Sequence, residues 1–136
     1  MLVFNVILKT ANSLLERSGL LGRAERQRRM AMAQLFEQIS GCLSAVSSEI
    51  RAGGVPHGKC GQLLFYAQAL PDKIRAELGD AQAEALGRTL SSAYNVEGMA
   101  MGLENIHDAA DREPYLKEIE EASGKFQALA NLVKVA

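Results

Sequence analysis

The chain has 136 residues, a length that suits one domain and excludes a multi-domain enzyme. Apolar residues make up 48% of it and charged residues 23%, a composition that excludes a disordered or collagen-like chain. The formal net charge of −1 provides no global field for nucleic acid, and two cysteines are too few for a disulfide framework. We therefore expect one folded domain without an obvious export signal, in a reducing compartment such as the cytoplasm.

The first predicted helix covers about residues 2–17 and is amphipathic. Polar residues recur along one side at intervals of three and four, and apolar residues lie opposite them. The apolar side contains Phe4, Ile7, Leu8 and Leu14. Gly19 and Gly22 predict the end of this helix and a bend. Within a single domain, we therefore distinguish an N-terminal amphipathic segment, residues 1–22, from a helical bundle, residues 23–136.

Four further helices are predicted over residues 23–52, 59–78, 80–111 and from 114 onward. Gly53 suits a left-handed C-cap, and Pro56 prevents the second helix from continuing. Pro71 predicts a kink or a restart in the third helix, and a break near Asn95 is an alternative for the fourth. Pro114 is a preferred first-turn residue and predicts the start of the last helix. No segment has the alternation of a strand, so the fold class is all-α: an antiparallel bundle of four core helices plus the N-terminal helix.

Two motifs in the loop after the second helix raise the question of catalysis. Residues 53–60 have the phosphate-loop spacing G-x-x-x-x-G-K, but Cys60 replaces the hydroxyl residue that binds Mg²⁺, and a helix precedes the loop. His57 and Cys60 form an H-x-x-C pair that suits a thiol nucleophile or part of a zinc site. Because neither an orienting residue nor a complete ligand set accompanies them, we interpret this segment as a turn between helices.

A third motif raises the question of metal binding. Glu104 and His107 are three residues apart and share one helical face, as metal ligands do in di-iron bundles. Such a site needs two pairs of this kind, and the sequence has one. We therefore predict no catalytic residue, no cofactor and no metal.

One basic cluster contains Arg23, Arg26, Arg28 and Arg29. The simplest interpretation is a solvated helix start. Guanidinium groups favour phosphates and carboxylates, however, and positive charges near a helix N-terminus oppose its dipole, which favours the alternative that these side chains pair. The acidic second half of the chain offers partners within or between chains, namely Glu113, Glu118, Glu120 and Glu121. Nucleic acid is disfavoured because the cluster is short, lacks interleaved aromatic residues and belongs to a chain of negative net charge.

These patterns predict a non-catalytic helical protein–protein interaction module, an adaptor or regulatory subunit that associates with itself or with another protein. The apolar side of the N-terminal helix must be covered by another chain, by the bundle or by a membrane. A first alternative is therefore a peripheral membrane protein, anchored by that helix and the arginines that follow it. A second alternative is a metal-binding helical bundle enzyme centred on Glu104 and His107.

Overall fold

The computed structural model describes residues 2–93 and 109–136, with side chains for residues 7–91 and 113–136. Within these residues the chain forms helices and no strand. The helices are α1 (Leu2–Glu16), α2 (Ser18–Leu21), α3 (Arg26–Arg51), α4 (His57–Leu78), α5 (Asp80–Ala93) and α6 (Ala109–Val135). The predicted all-α class is therefore confirmed. The short helix α2 occupies the place where the two glycines predicted only a bend.

Two glycines end α3 and α4 in the manner that the sequence predicts for a helix C-cap. Gly53 and Gly79 both have a φ of 88°, a left-handed conformation that costs glycine little because it has no Cβ. The N–H of Gly53 donates to the carbonyl of Ile50 at 3.0 Å, and the N–H of Gly79 donates to the carbonyl of Arg75 at 2.8 Å. Carbonyls in the last turn of each helix are satisfied in this way.

Two prolines, Pro71 and Pro114, lie inside helices. Pro71 lies within α4, which continues through it. Pro114 was expected to start the last helix, but it lies within α6, whose described part already includes residues 109–113. Because proline has no N–H, the bond that residue 114 would donate to the carbonyl of residue 110 is missing from α6. The alternative break near Asn95 lies outside the described residues.

The five long helices form a closed ring around one core. Helix α3 packs against α4 and α6, α4 packs against α5, and α1 packs between α5 and α6. The N-terminal helix is therefore one of five helices around the core, in place of the predicted arrangement of four core helices with a fifth beside them. The largest side chains with almost no exposed surface are Phe36, Phe126, Ile7, Leu14, Leu21, Met32, Ile39, Leu43, Leu63 and Leu70.

Helices α3 and α6 run antiparallel and form the most extensive interface, which contains buried serines. The Ser40 hydroxyl donates to the Ser123 carbonyl at 2.8 Å, and the Ser123 hydroxyl donates to the Ser40 carbonyl at 2.9 Å. Ser44 and Ser123 share a further hydrogen bond at 2.8 Å, and Ser47 donates to Glu120 at 2.9 Å. Small side chains let the two helices approach closely, and every buried hydroxyl in this group has a partner.

Helices α4 and α5 are also in close contact. A methyl group at Gly87 on α5 would overlap the ring of Pro71 on α4, so the glycine sets how near the two helices lie. At the turn between them, Arg75 binds Asp72, Asp80 and Glu84, with N–O distances of 3.4, 3.2 and 2.5 Å. These four residues join the end of α4 to the start of α5.

Candidate interaction surface

The apolar residues predicted as interaction candidates in the N-terminal segment lie mostly inside the protein. Ile7 is 1% exposed and Leu14 is fully buried, both in the core shared with the other helices, and Leu8 is half-buried. Phe4 lies within α1, but its side chain is outside the described ones. Of the three ways of covering this helix, the bundle itself therefore covers Ile7 and Leu14. The membrane-anchor alternative stays a prediction, because the side chains at the start of α1 lie outside the described ones.

Two of the four clustered arginines bind groups of the same chain. Arg28 on α3 forms a bidentate pair with Glu77 on α4, with N–O distances of 3.2 and 2.6 Å. Arg29 donates to the carbonyls of Val133 and Lys134 at 3.1 Å each. Those carbonyls belong to the last turn of α6, where intrahelical donors are missing and a positive charge complements the helix dipole. These two arginines therefore connect α3 to α4 and to α6.

Three of the four acidic residues expected to pair with the arginine cluster have other partners, and the fourth, Glu118, has a buried carboxylate oxygen with no hydrogen-bond partner among the described residues. Glu113 and Glu120 both bind Arg51, at 3.2 and 2.8 Å, at the opposite end of α3. The hydrogen bond from Arg51, followed by that from Ser47, lowers the pKa of Glu120. Glu121 binds Lys125 on its own helix at 3.5 Å. Within one chain, the expectation that Glu113, Glu120 and Glu121 pair with the arginine cluster was therefore wrong, because helix direction places the end of α3, not its start, beside this part of α6. Pairing between chains stays a prediction.

Arg23 and Arg26 remain exposed, and within the described part of the chain they form no hydrogen bond or ion pair. Arg23 borders a hollow of about 280 Å³, together with Leu20, Ala76 and Glu77. The Glu77 carboxylate there is already bound by Arg28. This hollow therefore offers a ligand a single uncommitted charge, on a flexible side chain.

The residues that suggested thiol or metal chemistry do not assemble a site among the described residues. Cys60 is 1% exposed, whereas His57, at the first position of α4, is exposed. Burial raises the pKa of Cys60 to about 11, which disfavours the thiolate that a nucleophile requires. The Cys42 thiol donates to the carbonyl of Lys59 at 3.2 Å, and burial raises its pKa as well. Both cysteines therefore behave as small buried side chains.

Metal binding at Glu104 and His107 stays a prediction, because both residues lie outside the described part of the chain. Among residues 2–93 and 109–136, no group of three or more acidic, histidine or cysteine side chains is arranged to hold a metal ion. In the same residues, none of the helices combines the length and the apolar character needed to cross a bilayer.

The most distinctive surface lies where α3 and α4 meet, and we call it the α3–α4 face. The two helices run antiparallel, since Arg28 contacts Glu77 at one end and Cys42 contacts Lys59 at the other. Between these contacts is a hollow of about 240 Å³. Its α3 wall is Ala31, Gln34, Leu35 and Gln38, and its α4 wall is Phe65, Tyr66, Ala69 and Lys73.

Phe65 is the most unusual residue of the α3–α4 face. It is 67% exposed, and its ring meets the ring of Tyr66 edge-on with centroids 6.0 Å apart. Sequence reasoning missed it, because Leu63 and Ala67 carry the helical period of α4 and Phe65 falls between them. A large aromatic residue placed off an otherwise regular core stripe is the signal that would have identified it.

Comparison with protein-family models, with curated proteins and with solved structures gives no match to this chain. Evidence for a function therefore comes from the geometry of this chain.

Proposed function

We propose that this chain is a non-catalytic helical interaction module, an adaptor or regulatory subunit, and that it binds protein through the α3–α4 face. The observation that carries this proposal is the exposed ring of Phe65 beside an open hollow. Burying the exposed part of this ring in an interface would contribute about 1–2 kcal/mol of free energy that the isolated chain does not gain. Aromatic residues that seat in well-packed pockets are the side chains that contribute most to protein–protein binding.

The chemistry of the surrounding residues supports a protein partner. Ala31, Leu35 and Ala69 give the hollow an apolar floor, while Gln34 and Gln38 add amide groups at its border. This combination of an apolar centre and a polar border is typical of protein interfaces. The two free thiols are too few for a disulfide framework, which supports a cytoplasmic location for the complex.

The state of the His57 and Cys60 pair also supports a non-catalytic function. The most nucleophilic candidate, Cys60, is buried with a raised pKa, and His57 is exposed. A nucleophile and its base must lie within hydrogen-bond reach and be accessible to substrate. The buried Cys60 thiol is not accessible to a substrate, and the exposed His57 is not placed beside it as a base.

Site-specific photocross-linking in the cell tests the proposal. A benzophenone-bearing phenylalanine is introduced at Phe65 and, as the matched control, at Leu132, an apolar residue of α6 that is 49% exposed. Irradiation is expected to give covalent protein adducts from position 65 and few from position 132. Adducts of equal yield from both positions, or none from position 65, would refute the α3–α4 face as an interface.

A further inference from the structure

We infer that the partner seated on the α3–α4 face is a second copy of this chain, related by a two-fold axis that passes between Phe65 and the adjacent hollow. This inference rests on the proposed function, because it names the partner of the same surface. In such an arrangement the Phe65 ring of each copy enters the hollow of the other. The face suits a second copy in its shape, its hydrogen-bonding chemistry, its charge and its area.

The shape of the face is self-complementary. A two-fold interface brings one patch against the same patch of its partner, so a projection and a recess must lie side by side on one surface. Phe65 is the projection, at 67% exposure, and the recess of about 240 Å³ lies immediately beside it. An engineered apolar cavity of about 150 Å³ accommodates benzene, so the recess has room for a phenyl ring. The two Phe65 rings would also lie near the axis, where they pair edge to face or with an offset.

The hydrogen-bonding groups of the face are self-complementary too. Gln34 and Gln38, both exposed, lie on the α3 wall at the level of the hollow. A glutamine amide carries both donors and an acceptor, so two copies of the same side chain satisfy each other.

The charge on the face is compatible with a second copy. Lys73 is the charged residue among those that line the hollow. It lies eight residues from Phe65, or about 12 Å along α4. The axis places the two copies of Lys73 on opposite sides, farther apart than the Debye length of about 8 Å at physiological ionic strength. Their repulsion is therefore largely screened.

The area of the face is of the size that a dimer needs. Helix α4 has 22 residues and is about 33 Å long, and two helices side by side present a face about 20 Å wide. The flat projection is about 650 Å², near the ~800 Å² per partner of standard interfaces. An interface at this lower limit predicts a reversible dimer rather than an obligate one.

Light-scattering mass, measured on the full chain over a wide concentration range, tests the inference. The wild-type chain is expected to approach twice the 14.7 kDa of one chain as concentration rises. Phe65→Glu is expected to weaken the dimer by about 30-fold or more, the effect of removing a hot-spot aromatic residue. Ala69→Gln, which fills the hollow and leaves Phe65 in place, is expected to have the same effect. Leu132→Glu, the matched control on α6, is expected to dimerise normally.

Circular dichroism on each variant establishes that the fold is retained, so a loss of mass reports association alone. A wild-type chain that stays monomeric at every concentration overturns the inference, as does a dimer that is unchanged by Phe65→Glu. The photocross-link separates this failure from that of the proposed function. Adducts from position 65 to a different protein overturn the self-association and leave the interaction module standing.

Discussion

Replacing Leu14 with alanine measures how much the N-terminal helix contributes to the core. Leu14 lies on α1 with no exposed surface, in a helix that packs between α5 and α6. Truncation of a fully buried leucine to alanine costs about 2–5 kcal/mol, because apolar burial is lost and a cavity remains. A domain of ordinary stability unfolds with about 5–15 kcal/mol, so the variant is expected to lose a large part of its margin.

The expected change in thermal stability follows from the length of the chain. With 136 residues and about 2.1 cal/mol/K of unfolding entropy per residue, a loss of ~3 kcal/mol lowers Tm by about 10 °C. Urea unfolding followed by circular dichroism gives the free energy directly. Leu132→Ala, at a position 49% exposed, is the control and is expected to cost less than about 1 kcal/mol. If Leu14→Ala left stability unchanged but abolished association, the N-terminal helix would be an assembly surface and the assignment to the core would be wrong.

Two further substitutions and one pH effect follow from the packing. Gly87→Ala is expected to lower the free energy of unfolding by about 1–2 kcal/mol, because its methyl group would overlap the Pro71 ring. Gly124→Ala has open space around it and is expected to raise the free energy of unfolding by up to ~1 kcal/mol. Urea unfolding of the two variants distinguishes the effect of overlap from that of helix propensity. Since burial raises the pKa of Cys60 from 9.0 to about 11, the unfolded chain loses this proton first, and stability is expected to fall as pH rises from about 9 to about 11. The pH dependence should be weaker in Cys60→Ala, and an equal slope in both proteins would contradict the assignment.

The sequence predicts the helices well because their signals are local. The amphipathic period of α1, the glycine C-cap at Gly53 and the all-α class each depend on residues within a few positions of one another. The start of the last helix was placed too late because Pro114 was assigned to a first turn, whereas it lies within α6. Pro71 likewise lies within α4, so packing against neighbouring helices outweighs the local cost of both prolines.

The candidate site was harder to predict because it depends on how helices pack. Two of the four clustered arginines pair, and which groups pair with Arg28 and Arg29 is set by the ends of α4 and α6 that lie beside the start of α3. The hollow of the α3–α4 face likewise exists only once two helices are placed together. The sequence shows Phe65 as an aromatic residue between core positions. Its role as a candidate contact residue can be inferred only once the hollow beside it is known.

The buried serines between α3 and α6 have a consequence for how this molecule changes shape. A shift of one helical turn would break the reciprocal bonds from the hydroxyl of each of Ser40 and Ser123 to the carbonyl of the other, which favours one register of α3 on α6. The contact of Gly87 with Pro71 similarly holds α5 to α4. The interface between α3 and α4 has the Arg28–Glu77 ion pair at one end, with the arginine side chain 38% exposed and the glutamate 10% exposed, and an open hollow along it. Sliding of α3 along α6 and of α5 along α4 is therefore restricted by these contacts, so any change of shape in the described helices has to keep each pair in register.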